Sequence, residues 1–339
     1  VQSPNHGRTY HGSNFHANLH KFSPSLYPMK PLFPTALKKN GTIGIISPAS
    51  PQRDKSNLDK GIRYLESLGY SVTLGKYSTS HYAGYLAGTD EERLSDIHDM
   101  FSDPQIDAIF CSRGGYGSAR LLAGLNTGLI KKNPKILVGF SDITALQLTL
   151  WNSCRLITFS GAMPSVDMAN TFNAASEEQF WRVLTSRKPI GALKPWSMNT
   201  IQGGEAEGRL LGGNLSVVCS IIGTPYMPSL RNTILALEDV GEETYRIDRM
   251  LTQLAYATKR SRPAGVAYGF WSQESRPRGS TPHRDVGEVL DERLDLTRGP
   301  ILKDLMYGHE PTKLTLPFGV LTRLSSRTKR MTLLESAVQ

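Results

Sequence analysis

Ser141 lies in Gly139-Phe-Ser-Asp142, between an apolar run, Lys135–Val138, and the stretch Ile143–Trp151. The first reads as a buried parallel strand and the second as a helix. A serine at a sharp strand-to-helix turn has its hydroxyl held clear of the backbone, with helix N–H groups around it. That is the geometry of a nucleophile elbow. Gly139 lets such a turn close without a side-chain clash. Hydrolase elbows also carry a glycine two residues after the serine, and here that position is Ile143. The same residues suit an ordinary strand–helix turn in which Ser141 or Asp142 caps the helix.

A serine nucleophile needs a base, and the base needs an orienting acid. Outside the N-terminal tail the histidines are His81, His98, His283 and His309. His98 falls on the polar side of a helix and is expected at the surface. His81 and His283 fall in loops. His309 stands in Met306-Tyr-Gly-His-Glu310, just before a strand at Leu314–Leu316, and Gly308 allows a tight turn beside it. Glu238 directly follows the apolar strand Thr233–Leu237. It is either a solvated strand-end charge or an oriented functional group, and the following Asp239, Glu242 and Glu243 fit the first reading. Arg113-Gly-Gly-Tyr-Gly117 lacks the lysine and serine of a P-loop and is not Gly-x-Gly-x-x-Gly. Its glycines can instead turn backbone N–H groups toward a developing oxyanion.

The elements that must carry these residues alternate. Strands at Thr42–Ser47, Ser71–Leu74, Asp107–Cys111, Ile136–Val138 and Leu156–Phe159 are separated by helical spacing at Leu58, Ile62 and Leu65 and at Leu94, Ile97 and Phe101. Thr89 and Glu92 form a capping box for the second of these. This predicts an α/β fold with an N-terminal doubly wound parallel sheet, whose site lies beyond the carboxyl ends of the strands. A helix around Ser176–Leu184 leads into a glycine- and proline-rich stretch. Beyond it, shorter strands at Thr233–Leu237, Gly265–Tyr268, Leu314–Leu316 and Met331–Leu334 predict a β-rich α+β domain. The expected division is a flexible tail over 1–38, an α/β domain over 39–185, a linker over 186–204 and the β-rich domain over 205–339.

The 339 residues allow two domains and a substantial core. The net charge of +9 permits an acidic partner. Lys and Arg are spread without a dense block or an aromatic-interleaved stripe, which argues against nucleic acid. No apolar stretch is long enough to cross a membrane and the N-terminus has no signal-peptide pattern, so a cytoplasmic protein is expected. Cys111, Cys154 and Cys219 are scattered, without metal-type spacing, and read as buried small hydrophobes. His6, His11, His16 and His20 fall in the irregular tail. Neither a metal nor an organic cofactor is implied.

Several segments together resemble the L,D-carboxypeptidase family, which includes the murein tetrapeptide carboxypeptidases and the microcin C immunity peptidases. They are Ile45–Ser50, Arg113–Leu122, Gly139–Leu146, Gly212-Gly-Asn-Leu215, Gly223-Thr-Pro-Tyr226, Leu237-Glu-Asp-Val240, Tyr245–Leu254 and Gly308-His-Glu310, in family order across roughly residues 42–320. The resemblance implies Ser141 as nucleophile, His309 as base and Glu238 as the acid that orients it. It assigns the oxyanion hole to backbone N–H groups, here of Gly115 and Asp142. It implies a homodimer with the triad across the cleft between domains. The implied reaction is release of terminal D-alanine from murein tetrapeptide in peptidoglycan recycling. Ser118 and Ala162 stand where the family often has alanine and proline, and neither change removes a catalytic group. The alternatives are an immunity-type amidase cleaving an aminoacyl-nucleotide antibiotic, or a non-catalytic peptide-binding protein.

Overall fold

The computed structural model describes residues 30–170, 172–193, 197–272 and 284–339. The tail histidines and His283 lie outside these residues. Strands β1 (Thr42–Ile46), β2 (Ser71–Leu74), β3 (Ala108–Cys111), β4 (Ile136–Gly139) and β5 (Thr158–Ser160) alternate with helices. The helices are α1 (Lys55–Ser67), α2 (Asp90–Ser102), α3 (Thr127–Lys132), α4 (Thr144–Cys154) and, after β5, α5 (Ala174–Thr185). The parallel order is β5-β4-β3-β1-β2. The chain reverses direction across the sheet between β1 and β3, where the loops after both strands form a crevice. Asp54 caps α1 and the Thr89–Glu92 capping box opens α2, each satisfying helix N–H groups that have no partner within the helix.

The chain continues through β6 (Gly191–Ala192), β7 (Asn199–Gln202), β8 (Glu205–Asn214), α6 (Leu215–Ser220), β9 (Thr233–Val240), α7 (Thr244–Ala257), β10 (Gly265–Ser272), α8 (Val286–Glu292), β11 (Ile301–Lys303), β12 (Leu316–Phe318), β13 (Leu321–Ser325) and β14 (Arg330–Leu333). Of these strands, all but β12 build a second sheet, in the order β6-β14-β13-β8-β9-β10-β11-β7. Its centre, β8-β9-β10-β11, is parallel, and its flanks are antiparallel.

Three features depart from the sequence expectations. The strand expected at Leu314–Leu316 forms at Leu316–Phe318 and pairs antiparallel with β5, so it belongs to the first sheet. Local pattern cannot distinguish the two partners, because β-pairing is a long-range choice. On α2, Arg93 and Asp96 are buried while Leu94 is only partly so, because the helix turns part of its polar side onto the loops beside the sheet. His98 is half-buried, and its Nε2 accepts the Asn126 N–H at 2.9 Å, joining α2 to the start of α3.

Pro31–Gln339 is one compact unit. Helix α4 packs against β5, β8, β12 and α6, so both sheets cover it. Every residue from Thr144 to Trp151 is buried. Each fully buried leucine there contributes roughly 1.5–3 kcal/mol, so the helix that follows Ser141 is a firm base for it. No described helix is long and apolar enough to cross a membrane.

Candidate active site

Ser141 stands at the carboxyl end of β4 with φ of +64°. The left-handed region costs a residue with a β-carbon about 1–2 kcal/mol. The turn Ser141–Ile143 is a single 3-10 turn leading into α4, and neither Ser141 nor Asp142 caps a helix. The capping alternative is therefore not realised, and the elbow is. The elbow forms without a second glycine because Ile143 is itself in the helical region, with φ of −65°.

The side chains of Ser141, His309 and Glu238 converge. His309 Nε2 lies 3.1 Å from Ser141 Oγ, and His309 Nδ1 lies 2.7 Å from Glu238 Oε2. The residues come from β4, the loop before β12, and β9. The Glu238 side chain is fully buried, and that of His309 is 25% exposed. An ionised carboxylate only accepts hydrogen bonds, so Nδ1 carries the proton and Nε2 turns its lone pair to the serine hydroxyl. A hydroxyl so placed can lose its proton to the imidazole as it attacks an electrophile.

Local packing explains how the three groups meet. Gly213 (φ +123°) lets the end of β8 approach α4, since a β-carbon there would lie 2.3 Å from Thr144 Oγ1. The same hydroxyl accepts the Asn214 N–H at 3.1 Å. This contact ties the elbow helix to the sheet that carries Glu238. Tyr307, fully buried, shares a 2.7 Å hydrogen bond with Ser160 at the end of β5, and its carbonyl accepts the Phe270 N–H. The loop bearing His309 is thereby fixed to both sheets. The Phe140 ring lies 4.8 Å from the imidazole, centroid to centroid, and limits its rotation.

Asn214 is the residue that sequence reasoning passed over. Its Nδ2 donates to Glu238 Oε1 at 3.3 Å and to Asp239 Oδ1 at 2.8 Å. Its Oδ1 accepts from Val217 N–H as the cap of α6, and from Ser216 Oγ. The signal was the Gly-Gly-Asn segment that formed part of the family resemblance. Asp239 is buried too, accepting the N–H groups of Ser216 and Val240, and burial raises its carboxyl above the usual carboxylate range. The acidic run that begins at Glu238 is therefore not uniformly solvated, since Glu238 and Asp239 both lie buried within β9.

The glycine loop packs directly on the elbow. A β-carbon at Gly114 would lie 3.0 Å from Ser141 Cβ and 3.4 Å from the Asp142 nitrogen. Gly115 has φ of +119°, open to glycine. Asp142 turns its side chain away from the serine and accepts the Ser118 N–H at 2.8 Å, and burial raises its carboxyl. Ser118 is fully buried and its hydroxyl donates to the Asp142 carbonyl. Arg93 braces the loops after β1 and β3, donating to the carbonyls of Pro48 and Gly117. Tyr116 N–H donates to Ser50 Oγ at 3.0 Å across the crevice between those loops. The three cysteines are buried, and burial raises each thiol. Among the described residues no cluster of His, Cys, Asp and Glu could hold a metal ion.

Comparison with known proteins agrees across both sheets. A family model described as the LD-carboxypeptidase N-terminal domain matches residues 43–161, and one described as the LD-carboxypeptidase C-terminal domain matches 207–324. The chain is 37% identical over 300 residues to the "Probable murein peptide carboxypeptidase" of Bacillus subtilis strain 168, covering 87% of this chain and 92% of that one. It is 32% identical over 289 residues to the murein tetrapeptide carboxypeptidase of Pseudomonas aeruginosa, covering 83% and 92%. A solved structure of a mutant of the microcin C7 self-immunity protein, in complex with adenosine monophosphate, superposes with a TM-score of 0.83 at 26% identity. It covers 91% of this chain and all of that one.

Proposed function

The chain belongs to the LD-carboxypeptidase family, and from that premise we propose that it is a serine carboxypeptidase releasing D-alanine from murein tetrapeptide. The observation that carries the reading is the relay of 3.1 Å and 2.7 Å hydrogen bonds from Ser141 through His309 to Glu238. Ser141 Oγ attacks the carbonyl of the L,D-bond while His309 Nε2 takes its proton. Glu238 holds the tautomer and stabilises the imidazolium. The tetrahedral oxyanion forms beside the backbone N–H groups of Gly115 and Asp142. The imidazolium then protonates the departing D-alanine amine, leaving an acyl-enzyme. Water deprotonated by His309 attacks the acyl-enzyme and restores Ser141. The reading carries with it a homodimer working in the cytoplasm on recycled muropeptides.

A second reading, an amidase acting on an aminoacyl nucleotide, is supported by the likeness to the self-immunity protein bound to adenosine monophosphate. A non-catalytic peptide-binding protein has no use for the fully buried carboxylate behind His309. Incubation with purified murein tetrapeptide and, separately, with aspartyl sulfamoyl adenosine, read by mass, tests the choice. Tripeptide plus D-alanine from the first alone supports the carboxypeptidase. Cleavage of the second alone replaces it with the amidase.

A further inference from the structure

A second concave site lies at the opposite end of the second sheet from Glu238. The turns before β9, after α7 and before β11 form an open depression of about 510 Å³ lined by Arg231, Lys259, Arg260, Arg262 and Arg298, with no Asp or Glu in the lining. Thr233 opens β9 and Glu238 is five residues on, so the cavity stands roughly 16 Å along the strand from the catalytic carboxylate at ~3.3 Å per residue. The turns are braced by hydrogen bonds: Ala264 N–H to Thr233 O at 2.7 Å, Thr297 Oγ1 to Pro263 O at 2.7 Å and Arg231 Nη2 to Arg260 O at 2.8 Å.

Among the described residues none of these five cations forms an ion pair. Arg262 Nε is shielded from solvent and has no hydrogen-bond partner, and a buried donor left in that state is costly. The carbonyls at the end of α7 attract Lys259 and Arg260. The Arg260 carbonyl beyond α7 likewise holds Arg231, but these carbonyls do not account for Arg262 and Arg298, which the Arg262–Pro263 bend and the turn before β11 bring to the same cavity. Arg231, Lys259, Arg260 and Arg298 are exposed, and their positive charges, without acidic partners among the described residues, attract a multiply charged anion.

We propose that this cavity binds a small molecule carrying two or more linked phosphoryl groups, independently of the triad. Four of the five cations are arginines, whose planar fork of donors matches phosphate oxygens in pairs. The concavity fits a small oligophosphate better than an extended polymer, which prefers an open basic stripe.

Calorimetric titration of the full chain with tripolyphosphate, orthophosphate and citrate tests the assignment. The expected result is one saturable site for tripolyphosphate, at least about tenfold tighter than for orthophosphate or citrate. The double variant Arg231→Gln/Arg298→Gln, both exposed in the native chain, weakens it at least about tenfold. Arg262→Gln does the same. Both variants stay folded by circular dichroism and keep the tetrapeptide activity of the parent protein. Absence of a saturable site, equal affinity for citrate, or binding unchanged in the double variant each overturns the proposal.

Discussion

Replacing Glu238 by glutamine changes one oxygen for an amide and leaves the volume intact, yet the surroundings give the new group no good orientation. Asn214 cannot turn to help, because its Oδ1 is committed to Val217 N–H and Ser216 Oγ and its NH2 must face the carboxylates. If the glutamine presents its oxygen to His309 Nδ1, its NH2 meets the Asn214 NH2 in a fully buried place, at a cost of about 1–3 kcal/mol. If it turns round, its NH2 meets Nδ1. The imidazole then carries its proton on Nε2, facing Ser141 Oγ, and cannot accept the hydroxyl proton. That arrangement costs about 10⁴ in rate, or about 5.5 kcal/mol at 1.36 kcal/mol per decade. Even the first orientation loses the negative charge that stabilises the imidazolium. We expect Glu238→Gln to lower kcat by about 10³–10⁴ with KM changed only a few-fold. The assay is release of D-alanine from purified tetrapeptide, followed by chromatography and mass, with circular dichroism to confirm the fold. Residual activity above about a tenth of the parent's would refute the reasoning, since it would mean that His309 is oriented without the carboxylate.

Ser141→Ala should lower kcat at least about a thousandfold with the fold intact. Ser141→Gly, equally inactive, should melt at or above the alanine variant, since a φ of +64° penalises a β-carbon; melting several degrees below it would show that the turn is unstrained. Chelators, and serine in place of the buried Cys111, Cys154 and Cys219, should leave the rate unchanged in folded protein; loss with EDTA that zinc restores would assign the hydrolysis to a metal. Asp96 is buried against the turn at Tyr77, whose N–H it accepts at 3.0 Å, and burial raises its carboxyl from 3.8 to about 6. The folded chain therefore holds this proton more tightly than the unfolded one, so its contribution to stability is complete below about pH 4 and lost as pH rises through about 6. Asp96→Asn should gain stability relative to the parent by on the order of 2 kcal/mol between pH 4 and 7; a flat difference in urea unfolding across that range would contradict this.

The alternation of strands and helices, the elbow at Ser141 and the capping box at Thr89 were legible in the sequence because each is set by residues within a few positions of one another. The family resemblance added Glu238 and His309, which residue reading alone left level with other loop histidines and with a solvated acidic run. Their meeting depends on contacts between residues far apart in the chain: Gly213 against Thr144, Tyr307 against Ser160 and Asn214 against Glu238. The pairing of β12 with β5 was invisible for the same reason, since a short apolar strand fits either sheet equally well. The burial of Arg93 and Asp96 on α2 is likewise set from a distance, by the loops at Pro48 and Tyr77 that accept from or donate to them.

Charge shows the same division. The net charge of +9 is a property of composition, but Arg231, Arg262 and Arg298 are separated by 31 and 36 residues along the chain. Only the tertiary structure sets the three turns side by side at the starting ends of β9, β10 and β11. Period and turn chemistry are local properties and survive in one dimension. Which side chains share a cavity, and which carboxylate stands behind which imidazole, depends on strand order and register. Those are settled by how the whole chain buries its apolar surface at once.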